Sequence, residues 1–489
     1  KVSIVVPLYN TPENFLKEML DSVEAQTYTD WELCLADASD EKNGQVKKTV
    51  EQYQAKDKRI KYKKLSKNEG ISENTNRALE MAAGDYIGLM DHDDLLHPSV
   101  LYNVVKTIEE KKADFIYTDE LSFVGTTDRV QSIHFKPDFS WETFRNNNFI
   151  CHFTAFKRSL LKETGGFRKE FDGAQDYDMF LRLLEKAKRV CHIQKVLYYW
   201  RLHAGSVASG VGAKPYTVEA GRKALEEHLH RENIIGKAYS SELYGPFYTV
   251  DYHISKNDKN LVVVESKQAR KFAIQEINKS DLKYDIVVAD EFKESQVSSY
   301  DNVIFVADGY ERYEDSDREN VGKIDKGVFE EVLQCLQPSE NVASGATVYY
   351  KKKVYQSGYC YDKGLKNFIM PLYSGVPVKD PAYMNRLKFR QNVSLLGKGV
   401  FAIKSGTLLQ YLQKSENKED LFSNEFYFAL CLYIKGKAEK CVVSPLVPLK
   451  ICSKVKNTSI KKDFIEIRQK DLTYNANMNV FGKYYFLWK

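Results

Sequence analysis

Apolar and polar positions follow a strand–helix rhythm along the first 200 residues. Val2-Ser3-Ile4-Val5-Val6-Pro7 is a short β-rich run stopped by proline, which predicts a first buried strand. Residues 11–25 carry Phe15, Leu16, Met19, Leu20 and Val23 at helical spacing. Residues 31–37 predict a second strand, 45–55 a helix and 60–64 an amphipathic strand. A turn at Asn68-Glu69-Gly70 leads into a capped helix over 72–83. Residues 86–90 then read as a buried strand that runs out on Asp91-His92-Asp93-Asp94. Further on, Pro98 opens a helix, and 114–119, 149–156 and 196–201 predict strands. Helices are expected over 157–163 and 179–186. Such alternation implies an α/β fold built on a mostly parallel, doubly wound sheet.

The acidic cluster at 91–94 stands where open α/β sheets bind ligands, just beyond the carboxyl ends of strands. Three crowded carboxylates repel one another unless a cation joins them. Oxygen ligands beside a phosphate-bearing substrate suit Mg²⁺ or Mn²⁺. The plainer alternative is a solvated acidic turn that caps the next helix. Asp37 and Asp40 also stand at a strand's carboxyl end. Asp172, Asp176 and Asp178 precede a helix, where the dipole favours negative charge and capping alone would account for them.

At 489 residues the chain predicts more than one domain, and 43% hydrophobic with 28% charged residues allows a sizeable core. The eight cysteines are scattered without metal-ligand spacing, which fits a reducing cytosol. No apolar run is long enough to span a membrane, and with Lys1 leading straight into a strand no signal peptide is expected. A net charge of +5 is too weak to imply nucleic acid. From Lys435 onward, 12 Lys+Arg against 4 Asp+Glu give +8, leaving −3 for the rest. That basic tail, ending Phe481-Gly482-Lys483-Tyr484-Tyr485-Phe486-Leu487-Trp488-Lys489, suits either an anionic membrane surface or packing against its own domain.

Seven ordered motifs in about the first 235 residues resemble an inverting family 2 glycosyltransferase of GT-A fold, in the branch that builds bacterial O-antigen, capsule and rhamnan. They are Val-Val-Pro-Leu-Tyr-Asn at 5–10, Asp37-Ala38-Ser39-Asp40, Asn68-Glu69-Gly70, Asp91-His92-Asp93-Asp94, Phe135-Lys136-Pro137-Asp138, Gln175-Asp176-Tyr177-Asp178, and Trp200-Arg201 with His203 and Ser206. The resemblance implies that Pro7 and Tyr9 line the nucleotide pocket and that Asp37 accepts the base N3–H, with Asp40 nearby. Ala36 stands where the family often has a second aspartate, a departure that bears on base reading. Asn68, Gly70 and Arg77 would border the pyrophosphate or ribose. Asp91 would hold the ribose side, with His92 and Arg201 in the donor-binding set. Asp93, with Asp91, would ligate Mn²⁺ or Mg²⁺, and His203 would complete the shell. Asp176 is expected as the general base, with Asp178 in reserve. Gln175, Trp200 and His152 would support the acceptor.

A period of about 250 residues suggests that the second half copies the first. Residues 260–265, 284–290 and 302–309 resemble the stretches at 2–7, 31–37 and 86–94, and the last keeps one aspartate. Asn424-Glu425-Phe426-Tyr427 stands in for 175–178. The expected organisation is a catalytic GT-A domain over 1–240, a degenerate GT-A-like domain over 245–455 and a tail over 456–489. The second domain would bind acceptor, support a homodimer or shape the groove; the counter-reading is a second active site using Glu425 without metal. The expected partners are a nucleotide-sugar donor, with dTDP-rhamnose first and a UDP-hexose second, and a glycan or lipid-linked acceptor. The expected location is cytoplasmic or peripheral at the inner membrane face. A sugar-nucleotide pyrophosphorylase would need a glycine-rich, arginine-bearing loop after the first strand, and Leu8-Tyr9-Asn10-Thr11 has none.

Overall fold

The computed structural model describes residues 1–203, 215–314, 326–362, 368–415 and 420–452. Ser206 and the expected tail over 456–489 lie outside the described residues, whereas 435–452 of the basic stretch are described. Two compact units divide the chain: 1–139, 147–233 and 245–248 form the first, and 140–146, 234–244 and the remainder from 249 form the second.

In chain order the elements begin with β1 (Val2–Leu8), α1 (Glu13–Glu24), β2 (Trp31–Asp37), α2 (Gln45–Lys56), β3 (Ile60–Lys64), α3 (Ile71–Leu79) and β4 (Tyr86–Leu89). There follow β5 (Leu95–Leu96), α4 (Val100–Lys111), β6 (Phe115–Phe123), β7 (Val130–His134), α5 (Trp141–Asn146), β8 (Thr154–Lys157), α6 (Leu161–Thr164), α7 (Gln175–Lys186), β9 (Val190–Arg201) and α8 (Pro215–Arg231). All of these except α5 belong to the first unit. Its sheet runs β3-β2-β1-β4-β8-β6-β9-β5, with β7 paired to β6. The four strands from β3 to β4 are parallel, β8 is antiparallel to both neighbours, and β9 runs parallel to β6. The α/β expectation holds.

β1 and β2 are buried at every residue, as expected for parallel strands covered by helices on both faces. α1 buries Leu16, Met19, Leu20 and Val23, the predicted stripe. The predicted strand at 149–156 shrinks to β8, because residues 147–153 are loop. The helix predicted to Ala83 stops at Leu79. Its N-cap is Gly70 (φ 103°), so the cap comes from another element: Asp172 Oδ1 accepts from Ser72 N–H (3.2 Å) and Ser72 Oγ (2.5 Å).

The second unit continues with β10 (Gly236–Ser240), β11 (Tyr248–Tyr252), β12 (Lys259–Val264), α9 (Lys267–Ile277), β13 (Lys283–Val288), β14 (Asn302–Val306), β15 (Tyr310–Arg312), α10 (Val328–Gln334), β16 (Asn341–Tyr350) and β17 (Lys353–Gln356). It ends with β18 (Tyr359–Asp362), β19 (Phe368–Pro371), β20 (Gln391–Val393), β21 (Val400–Lys404), α11 (Ser405–Leu412), α12 (Asn424–Gly436) and β22 (Lys440–Ile451). Its main sheet runs β13-β12-β14-β21-β16-β22-β15, with β17 paired to β16. That order and every strand sense repeat β2-β1-β4-β8-β6-β9-β5 of the first unit, with β17 in the place of β7. α12 precedes β22 as α7 precedes β9, so Glu425 takes the second position of its helix, as Asp176 does.

Register extends the comparison to single residues. Val2 pairs with Trp31 and Tyr86, and Asn260 with Tyr284 and Asn302. Taking these as equivalent places Ala307 and Gly309 at the level of Asp91 and Asp93. The pairs Tyr86–Lys157 and Asn302–Lys404 likewise place Gly399 at the level of His152. The remaining aspartate, Asp308, accepts from Ser266 Oγ (2.7 Å) and Ala269 N–H (3.0 Å).

A buried ionic knot lies inside this unit. Glu331 accepts from Arg390 Nε (2.6 Å) and Ser444 Oγ (2.6 Å) and lies 3.0 Å from Lys326 Nζ. α5 joins it there: Arg145 reaches Glu340 (2.8 Å), and Glu142 accepts from Tyr252 Oη (3.0 Å) and Asn341 Nδ2 (3.3 Å). Among the described residues, no helix is long and apolar enough to cross a membrane.

Candidate active site

The chain leaves β1 toward β2 on one side and returns to β4 on the other, so a crevice opens beyond the carboxyl ends of β1 and β4. A cleft partly open to solvent lies there. Pro7, Asp91, Cys151, His152, Gln175 and Asp176 are among its walls. The acidic strand end and the carboxylate at the start of α7 therefore share one cavity, although 85 positions separate them in sequence.

The loop after β4 is held from β9. Asp94 is buried, its Oδ2 accepting from Tyr198 Oη (2.6 Å) and its Oδ1 from Arg201 N–H (2.7 Å). Tyr198 Oη also accepts from Asp91 N–H (3.2 Å). The Arg201 side chain is buried; it donates to the Asp93 carbonyl (2.7 Å) and the Glu18 carboxylate (2.6 Å) between the rings of Phe15 and Phe123. Arg201 thus braces the acidic loop. His92 Nδ1 lies 3.0 Å from Thr11 Oγ1.

Two acid–imidazole pairs result. Asp93 Oδ2 lies 2.8 Å from His203 Nε2, and Asp91 Oδ2 lies 3.3 Å from His152 Nε2. Asp91, Asp94 and His152 also bring ligand atoms within 4.8 Å of one another, an O/N donor set that fits Mn²⁺ or Mg²⁺. Both Asp94 oxygens are already engaged, so Asp91, half-exposed, is the freer ligand of the three. Burial alone would lower the His152 pKa, but Asp91 and Glu120 override it and hold it well above the usual imidazole value. The ring stacks on Tyr198 at 4.9 Å and tilts against Trp200 at 5.9 Å.

At the other end, Asp176 Oδ2 accepts from Asn148 Nδ2 (3.0 Å) and Cys151 Sγ (3.3 Å). Burial, helped by the Asp176 charge, raises the Cys151 thiol well above its usual pKa, so it serves as a neutral donor. Gln175 Oε1 accepts from Gly173 N–H (2.8 Å), closing the turn before α7. Asp178 is fully buried and bound to Arg168 and Arg182. Its carboxylate anchors α7.

Of the expected donor-binding residues, Pro7 and Asp91 line the cleft, whereas Tyr9, Asp37, Asp40, Asn68 and Gly70 are not among its walls. Asp37 is buried, with Oδ2 accepting from Tyr62 Oη (2.7 Å) and Oδ1 from Ser39 N–H (2.8 Å). Asp40 accepts from Asn10 Nδ2 (2.8 Å), and Tyr9 is exposed. Asn68 Oδ1 accepts from Gly70 N–H (3.0 Å) and Asn74 Nδ2 (2.8 Å). A Cβ on Gly70 would come to 2.6 Å from Asp172 Oδ2, so glycine is required there by space as well as φ. Arg77 pairs with Glu80 (2.6 Å) and Glu69 (3.6 Å) on the outer face of α3 and is not among the cleft walls.

Residues 3–165 match the model of the family described as Glycosyl transferase family 2. The chain carries a family 2 glycosyltransferase domain. Curated relatives are similar to part of the chain. An uncharacterized protein y4gI of Sinorhizobium fredii is 46% identical over 235 residues, 47% of this chain and 25% of the relative. The O-antigen biosynthesis protein RfbC of Myxococcus xanthus is 31% identical over 271 residues, 54% of this chain and 21% of the relative. The chain thus spans about a quarter of the length of these relatives. Among solved structures, TarS of S. aureus, residues 1–349 in complex with UDP-GlcNAc, has a TM-score of 0.40 and 24% identity, covering 47% of this chain and 66% of that one.

Proposed function

We propose that this chain is a metal-dependent, inverting glycosyltransferase that moves a sugar from a nucleotide-sugar donor onto a growing or lipid-linked surface polysaccharide. The observation that carries the reading is the shared cleft, with Asp91 at the end of β4 and Asp176 at the start of α7. The donor nucleotide would lie along Pro7, Tyr9, Asp37, Asp40, Asn68 and Gly70, its phosphates toward the acidic loop. Asp91, Asp93 and His203 are the expected holders of Mn²⁺ or Mg²⁺, beside His152 and Asp94. A bound divalent cation there would neutralise the charge that grows on the departing nucleoside diphosphate.

An acceptor hydroxyl has a pKa far above neutrality, so a carboxylate must take its proton as it attacks. Asp176 is that base. The new glycosidic bond forms on the face opposite the breaking sugar–phosphate bond, through an oxocarbenium-like state, so the anomeric configuration inverts. Asn148 and Cys151 hold one Asp176 oxygen in place during the transfer.

The second domain acts without a metal, because Ala307, Gly309 and Gly399 carry no ligand atoms at the levels of Asp91, Asp93 and His152. Its proposed work is acceptor binding, homodimerisation or shaping the groove. The similarity to an O-antigen biosynthesis protein supports a surface-polysaccharide acceptor. dTDP-rhamnose is the first donor to try and a UDP-hexose the second. The test is a thermal-shift and hydrolysis panel of dTDP-rhamnose, UDP-glucose, UDP-GlcNAc and GDP-mannose, with Mn²⁺ and after chelation. One donor should raise the melting point and be hydrolysed only with metal. Silence toward all of them, unchanged by metal, would favour a glycan-binding scaffold.

A further inference from the structure

Lys136, in the Phe135-Lys136-Pro137-Asp138 motif, is a lysine with almost no solvent contact, its side chain 3% exposed. Its ammonium lies 3.1 Å from Glu120 Oε2 and donates to three successive backbone carbonyls: Ile150 (3.1 Å), Cys151 and His152 (2.7 Å). Glu120 also accepts from the other side, with His134 Nδ1 at 2.8 Å from Oε1. Burial would raise the Glu120 pKa, but Lys136 and then His134 pull it below the ordinary carboxylate range, so the pair is ionic. Consecutive carbonyls of an extended chain point in alternating directions. Three gathered on one cation fix the path of 150–152, which is loop and lacks a ladder of its own.

That path carries both ends of the proposed chemistry. Cys151 Sγ meets Asp176 and His152 Nε2 meets Asp91. We propose that Lys136 is a positioning residue: its ammonium fixes the backbone of Cys151 and His152, and through them the spacing between Asp176 and Asp91. The idea rests on the reading that these two carboxylates serve one transfer. A compact ammonium with three convergent donors suits the task, whereas a planar guanidinium presents its donors in one plane.

The test uses the full chain in two forms, Lys136→Arg, which keeps the charge, and Lys136→Met/Glu120→Gln, which removes the buried ammonium and its carboxylate partner together, His134 and His152 losing their Glu120 contact while His152 keeps Asp91. The reporter is the rate at which N-ethylmaleimide alkylates Cys151, read by peptide mass mapping. Cys34 and Cys191, buried in the same domain, serve as controls for global opening. Loss of the clamp should raise the Cys151 rate at least ~10-fold while both controls stay within ~2-fold, because several hydrogen bonds hold one local opening. Turnover of the panel's preferred donor should fall at least ~10-fold with its KM within ~3-fold, since small misplacement costs rate before binding. An unchanged Cys151 rate overturns the proposal, and so does a parallel rise at Cys34 and Cys191, which marks general destabilisation. Asp176→Asn runs alongside. Full transfer in that variant would sink the base assignment, while the alkylation result would still report on the clamp.

Discussion

The Cys151 thiol lies 3.3 Å from Oδ2 of Asp176, and the residue after it touches Asp91. A two-residue stretch of loop therefore contacts both carboxylates of the cleft. Asp176 Oδ1 accepts from the Tyr177 N–H (2.8 Å), so the group is fixed from both sides.

Asp176→Asn keeps that shape and removes the proton acceptor. Transfer should fall roughly 100- to 10,000-fold, while nucleotide-dependent thermal shift stays unchanged. Steady-state kinetics beside a binding curve is the measurement, and wild-type turnover would refute the base assignment.

Asp93→Ala removes the carboxylate paired with His203 and should abolish the Mn²⁺-dependent part of donor binding. Titrating Mn²⁺ in the presence of the preferred donor reads this directly. Chelation of the wild-type protein should give the same binding curve as the variant.

Asp94→Ala acts on the fold of the site. It leaves the Tyr198 hydroxyl and the Arg201 N–H, both buried, without their acceptor. The expected loss is about 2–3 kcal/mol, seen as a lower urea midpoint for the first unit, with the second unit's transition unmoved.

Glu331 makes the second domain acid-sensitive. Burial pushes its pKa up, but Arg390 and Lys326 outweigh that and bring it down to about 2, from an ordinary value of 4.5. A carboxyl whose folded pKa is depressed contributes fully above its unfolded pKa and loses that contribution as pH falls. The window is therefore pH 4.5 down to about 2, worth roughly 3 kcal/mol. Denaturation curves across that window should show the decline, and Glu331→Gln should flatten it at a cost of about 3–5 kcal/mol at neutral pH.

Much of this was legible in the residues. Periodicity located β1, β2 and α1, and the copy in the second half was readable because Val262, Val263 and Val264 repeat a fully buried strand. The cleft residues Asp91 and Asp176 could be named because they stand in ordered motifs that resemble a known family; an acidic group at a strand end or before a helix is by itself explained by capping. Asp94 was passed over as a site residue, since nothing local shows that Tyr198 and Arg201, over 100 positions away, would seize it. Asn148, Cys151 and Glu120 escaped for the same reason: their meaning lies in long-range pairing. Arg201, expected in the donor-binding set, is instead held by Glu18, and Asp178, kept only in reserve as a base, is held by Arg168 and Arg182. A charge in a motif does not announce whether its partner is a ligand or another side chain.

α5 has a practical consequence. Its seven-residue segment, 140–146, sits midway along the catalytic stretch of sequence but belongs to the second unit, where Glu142 and Arg145 find their partners. A fragment cut at residue 240 would keep those two charges, 3.8 Å from each other, and discard Glu340, Tyr252 and Asn341, which complete their pairing. Anyone wishing to express the catalytic half alone would have to redesign that helix, because no single cut separates the two halves.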